Sequence, residues 1–339
     1  MSRGRLLNVA ALVFGIGVMA ALCMKIGWHE IGRQMARVGW GFVWVCVAGS
    51  ASNVVEAAAL WIAIDRRCSF SRVYGASIAG AAVNQFTPLS EAGEAIKWNL
   101  LKDAGGSESV ASGVLAWNVC FRITKYAYAF LAPLMVLLVH PSLFPARTLA
   151  LLEVAAIVAF IPSLIFFILV WSGSAEFVVR MFQRLPFLRT HDPAPLLERA
   201  RRIDVLVRRF AGSRLGDALA INALLFVARL LSGLEVWTAQ RALGADTDVP
   251  TALFLYGGML IVSVYLSIAP VQIGVAEAGQ YFLFGLVGMS PALGFAQGLV
   301  RRVRALISNA LGFAYLAYRS ARVEPRPGPP DGLPPAGPP

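Results

Sequence analysis

Charge is scarce in this 339-residue chain: Asp, Glu, Lys and Arg make up 14% of it, against roughly 25% in a soluble domain. Histidine is scarcer still. His29, His140 and His191 stand alone, with no HExxH, no Asp-rich pair and no Gly-x-Ser-x-Gly. That sets aside metal-assisted hydrolysis and serine acyl transfer. A Walker A loop is missing too, so ATP coupling within this chain is not expected. The four cysteines (Cys23, Cys46, Cys68 and Cys120) fall at no metal-binding spacing and suggest no disulfide framework. The sequence therefore offers no catalytic residue, no metal ligand set and no cofactor motif, and an enzyme is not expected.

Apolar sequence fills the space that charge leaves. Hydrophobic residues make up 58% of the chain and mean hydropathy is +0.66. Charge-free runs follow one another: Leu6–Met24, Val38–Val55, Val73–Ser90, Tyr126–Ala146, Val154–Ala175, Val249–Ala276 and Ala278–Val300. About 20 apolar residues cross a bilayer as a helix, and a soluble core does not need such runs in series. Spans are expected at 6–24, 40–64, 109–139, 148–171, 215–240 and 291–318. Two further segments, 72–102 and 250–288, are apolar but interrupted by Pro and Gly. The expected fold is all-α: a polytopic membrane bundle over 1–322 with two re-entrant or broken segments. The tail, 323–339, carries eight Pro and three Gly and is expected to stay disordered.

The net charge is +11. In a membrane protein such charge follows from basic cytoplasmic loops and favours anionic headgroups, so nucleic acid is not an expected partner. Residues 176–214 hold nine Arg against four acids, which places this linker in the cytoplasm. Arg66, Arg67 and Arg72 mark a second cytoplasmic loop, and Arg319 and Arg322 put the C-terminus inside. The N-terminus is placed inside as well, in the cytoplasmic membrane. Loop 25–39 is basic although placed outside, which suggests an interfacial amphipathic helix between Trp28 and Trp40.

The two interrupted segments correspond. Thr87-Pro88 is followed by Gly93-Glu94, and Ala269-Pro270 by Gly274 and Glu277. A Glu and a Trp precede each (Glu56 and Trp61; Glu235 and Trp237), and an Arg follows each Pro at the same offset (Arg122, Arg304). With the topology above, the second copy is inverted, and discontinuous helices in inverted repeats locate substrate sites in many transporters.

Several residues then stand out. Glu91, Glu94 and Lys97, three apart, share one helix face. They read either as capping and an interfacial ion pair or as an acid–base stripe lining a groove. Asn84, Gln85 and Thr87 either satisfy the backbone freed at the break or contact a headgroup. Arg122 and Lys125, with Asn118 one turn earlier, lie at the surface if Tyr126–Ala146 is the span, and need anionic partners if they lie deeper. The same two readings apply to Arg301, Arg302 and Arg304. Glu277 and Gln280, with Tyr281, share a face after Gly274. Glu56, Glu94, Glu235 and Glu277 are the candidate partners for deep cations, and a phosphate headgroup is another.

Asn84–Leu101 (NQFTPLSEAGEAIKWNLL) and Pro270–Gly288 (PVQIGVAEAGQYFLFGLVG) resemble, in order, the two signatures of the lysylphosphatidylglycerol synthase transmembrane region, or flippase-like domain family. The basic residues Arg301–Arg304 resemble a feature of its last span. Lys97 stands where the family often has Arg, and Ala276 stands where Arg often precedes the Glu. The resemblance covers about 1–320 and includes no aminoacyl-transferase domain. It implies lipid translocation rather than lipid aminoacylation. Stand-alone members associated with hopanoid biosynthesis make a polycyclic or polyprenyl lipid conceivable.

The expected function is a flippase-like transporter for a lipid or lipid-linked phosphate. Its substrate-binding residues are Asn84, Thr87, Glu91, Glu94, Lys97, Arg122, Lys125, Glu277, Gln280, Arg301 and Arg304. Its partner is a membrane lipid, anionic or carrying a phosphate. The alternatives are a membrane partner of a lipid-biosynthetic enzyme, docking through 176–214, or a lipid-modifying enzyme.

Overall fold

The computed structural model describes residue 24 and residues 28–86, 92–139, 175–183, 194–213, 215–265 and 275–322. Most of the span expected at 6–24, all of that at 148–171, the breaks at 87–91 and 266–274, and the tail 323–339 lie outside them. The described residues form eleven helices: α1 (Trp28–Val38), α2 (Gly41–Ala63), α3 (Phe70–Phe86), α4 (Ala92–Gly105), α5 (Ser107–Val139), α6 (Ala175–Gln183), α7 (Ala194–Ser213), α8 (Leu215–Ala242), α9 (Val249–Tyr265), α10 (Val275–Leu286) and α11 (Pro291–Arg322). No strand occurs among them. By length and composition Gly41–Ala63, Ser107–Val136 and Leu215–Ala242 are fit to cross a membrane, and Val249–Ser263 is a shorter apolar helix. This is an all-α membrane bundle.

Its centre is the antiparallel pair α2 and α8. Gly41 faces Ala242 at one end of the contact. Further along, the Ser52 hydroxyl donates to the Ala228 carbonyl at 3.0 Å and lies 2.9 Å from the Ser232 hydroxyl. Small residues here let two backbones approach, as is common between membrane helices. Both helices end alike. Arg66 N–H bonds back to Trp61 O and Ala245 N–H to Gln240 O, each at 2.9 Å, a six-residue closure typical of helix C-termini. The Trp61 indole then donates to Cys68 O at 2.8 Å and the Trp237 indole to Thr247 O at 2.9 Å. The turn after each central helix is therefore fastened by the same residue type.

Each central helix is followed by an antiparallel helical hairpin. In the first, the Arg72 guanidinium on α3 donates to Leu100 O on α4 at 2.9 and 3.1 Å, and Gly80 meets Gly93. In the second, Gly258 on α9 packs on Leu283 of α10, and Gly279 on Val262. Because α2 and α8 run in opposite directions, the hairpins enter the bundle from opposite ends. Each hairpin's first helix then packs on the last helix of the other half: Gly75 and Ile78 of α3 against Tyr315 and Gly312 of α11, and Gly257 of α9 against Pro133 of α5. The halves are interlocked by this exchange. Apolar clusters fill both sides, one around Leu60, Leu101, Trp117 and Leu225, the other around Tyr128, Leu255 and Phe284.

The α3–α4 contact leaves no room for a side chain. A Cβ on Gly93 would collide with the Gly80 carbonyl and with Asn84, whose Oδ1 accepts the Gly93 N–H at 2.6 Å. Overpacking of this kind costs about 1–3 kcal/mol. Gly93→Ala should therefore unfold at a lower temperature in detergent, while Gly216→Ala, whose Cβ meets nothing within 4 Å, should not.

Outside the apolar bundle, α6 and α7 are joined by charge. The Glu176 carboxylate accepts from Arg201 at 2.9 and 3.1 Å and from Arg180 at 2.6 Å. These hydrogen bonds, Arg201's first, hold its pKa down at about 2. A depressed carboxylate stabilises fully above its unfolded value and loses that contribution only as pH falls through the folded one. The α6–α7 contact should therefore be unchanged between about pH 5 and pH 8. Being exposed, it should loosen in high salt. Spin-label distances between the two helices would report both.

Candidate functional site

Among the described residues of the helical body, Glu56, Glu94, Glu235 and Glu277 each have a cation beside them. Glu56 on α2 pairs with Arg229 on α8. Arg229 also donates to the Tyr256 hydroxyl at 3.2 Å and lies 4.7 Å from the centre of the Phe121 ring. Glu235 on α8, 1% exposed, accepts from Arg304 at 3.0 and 3.1 Å and from Arg301 at 3.4 Å, both on α11. Arg301 stands 5.7 Å from the Tyr256 ring centre. Tyr256 therefore touches the cations of both pairs.

The hairpin acids are bound differently. Glu277 on α10, also 1% exposed, accepts from Arg302 on α11 at 2.7 and 2.5 Å, fastening the second hairpin to the last helix. Glu94 on α4 pairs with Lys97 of the same helix at 3.1 Å. Lys97 is 3% exposed and lies 3.8 Å from the ring centre of Trp117 on α5, a cation–π contact that compensates part of its lost hydration. Asn84 accepts from Gly93 N–H and reaches Glu94 at 3.5 Å. Both residues lie beside the hairpin break.

A cavity of about 170 Å³ opens between α2, α3 and α11, lined by Asn53, Glu56, Ser77, Gln85, Arg304 and Asn309 among others. The amide of Asn309 donates to Gln85 at 2.5 Å. Its walls carry hydroxyls, amides and one charge of each sign. Polar and charged walls within a membrane helical body are costly and mark candidate pathways or binding sites.

Arg122 and Lys125 complete the charge pattern. They lie near the middle of α5, within the stretch Ser107–Val136 that is long and apolar enough to cross a membrane. Arg122 is exposed and donates to Asn118 at 2.9 Å. Lys125 is largely enclosed, within electrostatic reach of Arg229, Arg122 and Glu56. Among the described residues neither forms an ion pair. Among the described residues, Lys97, Arg229, Arg301, Arg302 and Arg304 take up Glu56, Glu94, Glu235 and Glu277, and Arg122 and Lys125 pair with none of these four.

The structure brings Asn84, Glu94 and Lys97 into one group, Arg301 and Arg304 onto Glu235, and Glu277 onto Arg302. Gln280, 4% exposed, sits against Gly298 with its Oε1 unpartnered. Thr87 and Glu91 lie outside the described residues. Sequence reasoning did not find Tyr256 and Trp117, because an aromatic residue in an apolar helix carries no sign of the cation that will rest on it. It also missed the polar wall of Asn53, Ser77 and Asn309, because Asn309 comes from α11, far along the chain from α2 and α3. No cluster of three or more His, Cys, Asp and Glu suited to a metal occurs among the described residues.

The family model described as the lysylphosphatidylglycerol synthase TM region matches residues 8–312, and the chain belongs to that family. No curated protein and no solved structure matches it.

Proposed function

We propose that the chain is a flippase-like transporter that moves a lipid carrying an anionic or phosphate headgroup across the cytoplasmic membrane, with both termini in the cytoplasm. The observation that carries this reading is the pair Arg122 and Lys125, two cations in the middle of a spanning helix with no carboxylate partner among the described residues. Holding such charges at that depth is costly unless an anion joins them, and a lipid phosphate is the anion a membrane supplies. The neighbouring cavity, with Arg304 and its amides and hydroxyls, offers further contacts for the headgroup, while the tails stay in the bilayer.

In this reading Glu94 and Glu277 act as gates. Glu277 ties the second hairpin to α11 through Arg302. Glu94 occupies Lys97 in the first, and a passing phosphate competes with both carboxylates for their cations. The family supports a membrane function of this kind. The hopanoid or polyprenyl substrate raised by resemblance has no support in the geometry.

The test is translocation in proteoliposomes, with fluorescent phosphatidylglycerol compared with phosphatidylcholine bearing the same label. Faster movement of the anionic lipid, slowed several-fold by Glu277→Gln in folded protein, is the expected result. Equal rates for both lipids, or wild-type transport in that variant, would overturn the headgroup assignment or the gate respectively.

A further inference from the structure

The two central acids occupy the same place in the two halves. Glu56 lies five residues before Trp61, whose carbonyl closes the end of α2, and Glu235 five residues before Gln240, whose carbonyl closes the end of α8. The residue nine past each acid is left-handed, Asp65 at φ 63° and Gly244 at φ 82°. Arg122 and Arg304 match as closely. Each lies sixteen residues past a left-handed glycine that precedes the last helix of its half, Gly106 at φ 85° and Gly288 at φ 71°. Glu56 and Arg122 are therefore the counterparts of Glu235 and Arg304.

Only one of these counterpart pairs is made. Both oxygens of Glu235 are taken, Oε1 by Arg301 and Arg304 and Oε2 by Arg304. Glu56 gives Oε1 to Arg229, and its Oε2 accepts no hydrogen bond among the described residues. The Glu56 side chain is 18% exposed, against 1% for Glu235, and borders the polar cavity. Arg122 is close by. The Trp117 indole, five residues earlier on α5, donates to the Glu56 carbonyl at 3.2 Å, and Lys125, three residues later, is within electrostatic reach of both Glu56 and Arg122. Each acid also has a cation that its counterpart lacks. Arg229 stands where the first half has Ser50, and Arg301 where it has Val119.

A chain whose halves are built alike but paired unequally has a second arrangement, with the roles reversed, and inverted repeats give alternating access by moving one half against the other. We propose that Arg122 and Arg304 take turns on the two central acids. In the second arrangement Arg122 closes on Glu56 while Arg304 leaves Glu235. No acid is stranded, because Arg229 stays on Glu56 and Arg301 on Glu235. The arginine set free is the one that holds the phosphate of an anionic headgroup, Arg122 in this state and Arg304 in the other. The two stations lie at different levels. Gly49, which faces Glu235 and Arg304, and Glu56 are seven residues apart on α2, about 10 Å along its axis. The exchange deepens the transport reading and rests on it for the part played by the free arginine.

Arginine modification by phenylglyoxal, mapped by mass spectrometry on the full-length protein in detergent, tests it. In the wild type Arg122 should react several-fold faster than Arg304. Arg304→Gln removes the ion pair that holds this arrangement, so Arg122 should turn to Glu56 and react several-fold more slowly. Adding Glu56→Gln to that variant takes the acid away and should restore the fast reaction. Gly49→Ala is a second arm that alters no charge. Its Cβ would stand 2.7 Å from Arg304 Cζ and 3.0 Å from Glu235 Oε2, so Arg304 should be displaced and react faster while Arg122 reacts more slowly. Arg122 that stays fast in folded Arg304→Gln and Gly49→Ala protein overturns the exchange. So does a slow reaction that Glu56→Gln fails to restore. Exchange in a protein that moves neither labelled lipid would sustain the switch and sink the transport reading. Faster transport of phosphatidylglycerol without exchange would do the reverse.

Discussion

Glu235→Gln should destabilise the bundle more than any other single replacement of an interior acid. The carboxylate is 1% exposed and is shared by Arg304 and Arg301. Gln keeps its volume, so no cavity complicates the result. It removes the charge and leaves two guanidiniums side by side without an acid between them. Breaking a buried pair from one side costs about 3–5 kcal/mol. Arg304 borders the polar cavity, where water softens the penalty, and the lower end of that range is the better figure. A fall of roughly 4 °C in unfolding temperature in detergent follows, at about 1.4 °C per kcal/mol for a chain of 339 residues.

The double variant Glu235→Gln/Arg304→Gln isolates the pair. It removes the acid together with one of the stranded cations, so it should be less unstable than the sum of the single changes. An unfolding temperature for Glu235→Gln within a degree or two of wild type would show that the pair carries no such load. Strict additivity in the double variant would show that Arg304 is held by something else.

The sequence made the helical class legible for a simple reason. A membrane span must be apolar for about 20 residues and must satisfy its own backbone, so α2 announces itself as a run whose one charge is Glu56, while α5 and α8 are apolar stretches interrupted by Arg122 and Lys125 and by Arg229 and Glu235. The repeat was legible through landmarks that do local work. Trp61 and Trp237 fasten the turns after the central helices, and Arg122 and Arg304 sit near the middle of the last helix of each half. What was not legible is pairing. Glu56 could have met Arg122, Arg229 or Arg304, and only the antiparallel contact of α2 with α8 selects Arg229. Arg229 and Glu235 lie six apart on one helix, yet each pairs outside it. The sequence offset that matches Arg122 with Arg304 also hides their difference. Arg304 has Glu235 beside it, whereas Arg122 lies on an open face with only Asn118.

That asymmetry gives the prediction with the largest effect on transport. Arg122→Gln should abolish movement of an anionic lipid while leaving the protein folded. In the bundle Arg122 is exposed and makes one hydrogen bond, to Asn118, which Gln can replace in part. Its removal breaks no ion pair among the described residues and leaves no buried charge, so the unfolding temperature should stay within about a degree of wild type, as for most exposed substitutions. Transport has a different sensitivity. A hydrogen bond from a charged donor is worth about 1.5–3 kcal/mol, which corresponds to roughly ten- to hundred-fold in rate if the contact is made at the top of the barrier. Arg122→Lys keeps the charge but not the planar fork, and should recover part of the rate. Lys125→Met should show a loss of similar size on transport. Its stability should rise, because an enclosed cation near Arg229 and Arg122 has been removed. Folded Arg122→Gln protein that moves phosphatidylglycerol at the wild-type rate would leave the spare cations of α5 without a substrate. A stability loss as large as that of Glu235→Gln would make Arg122 part of the scaffold instead.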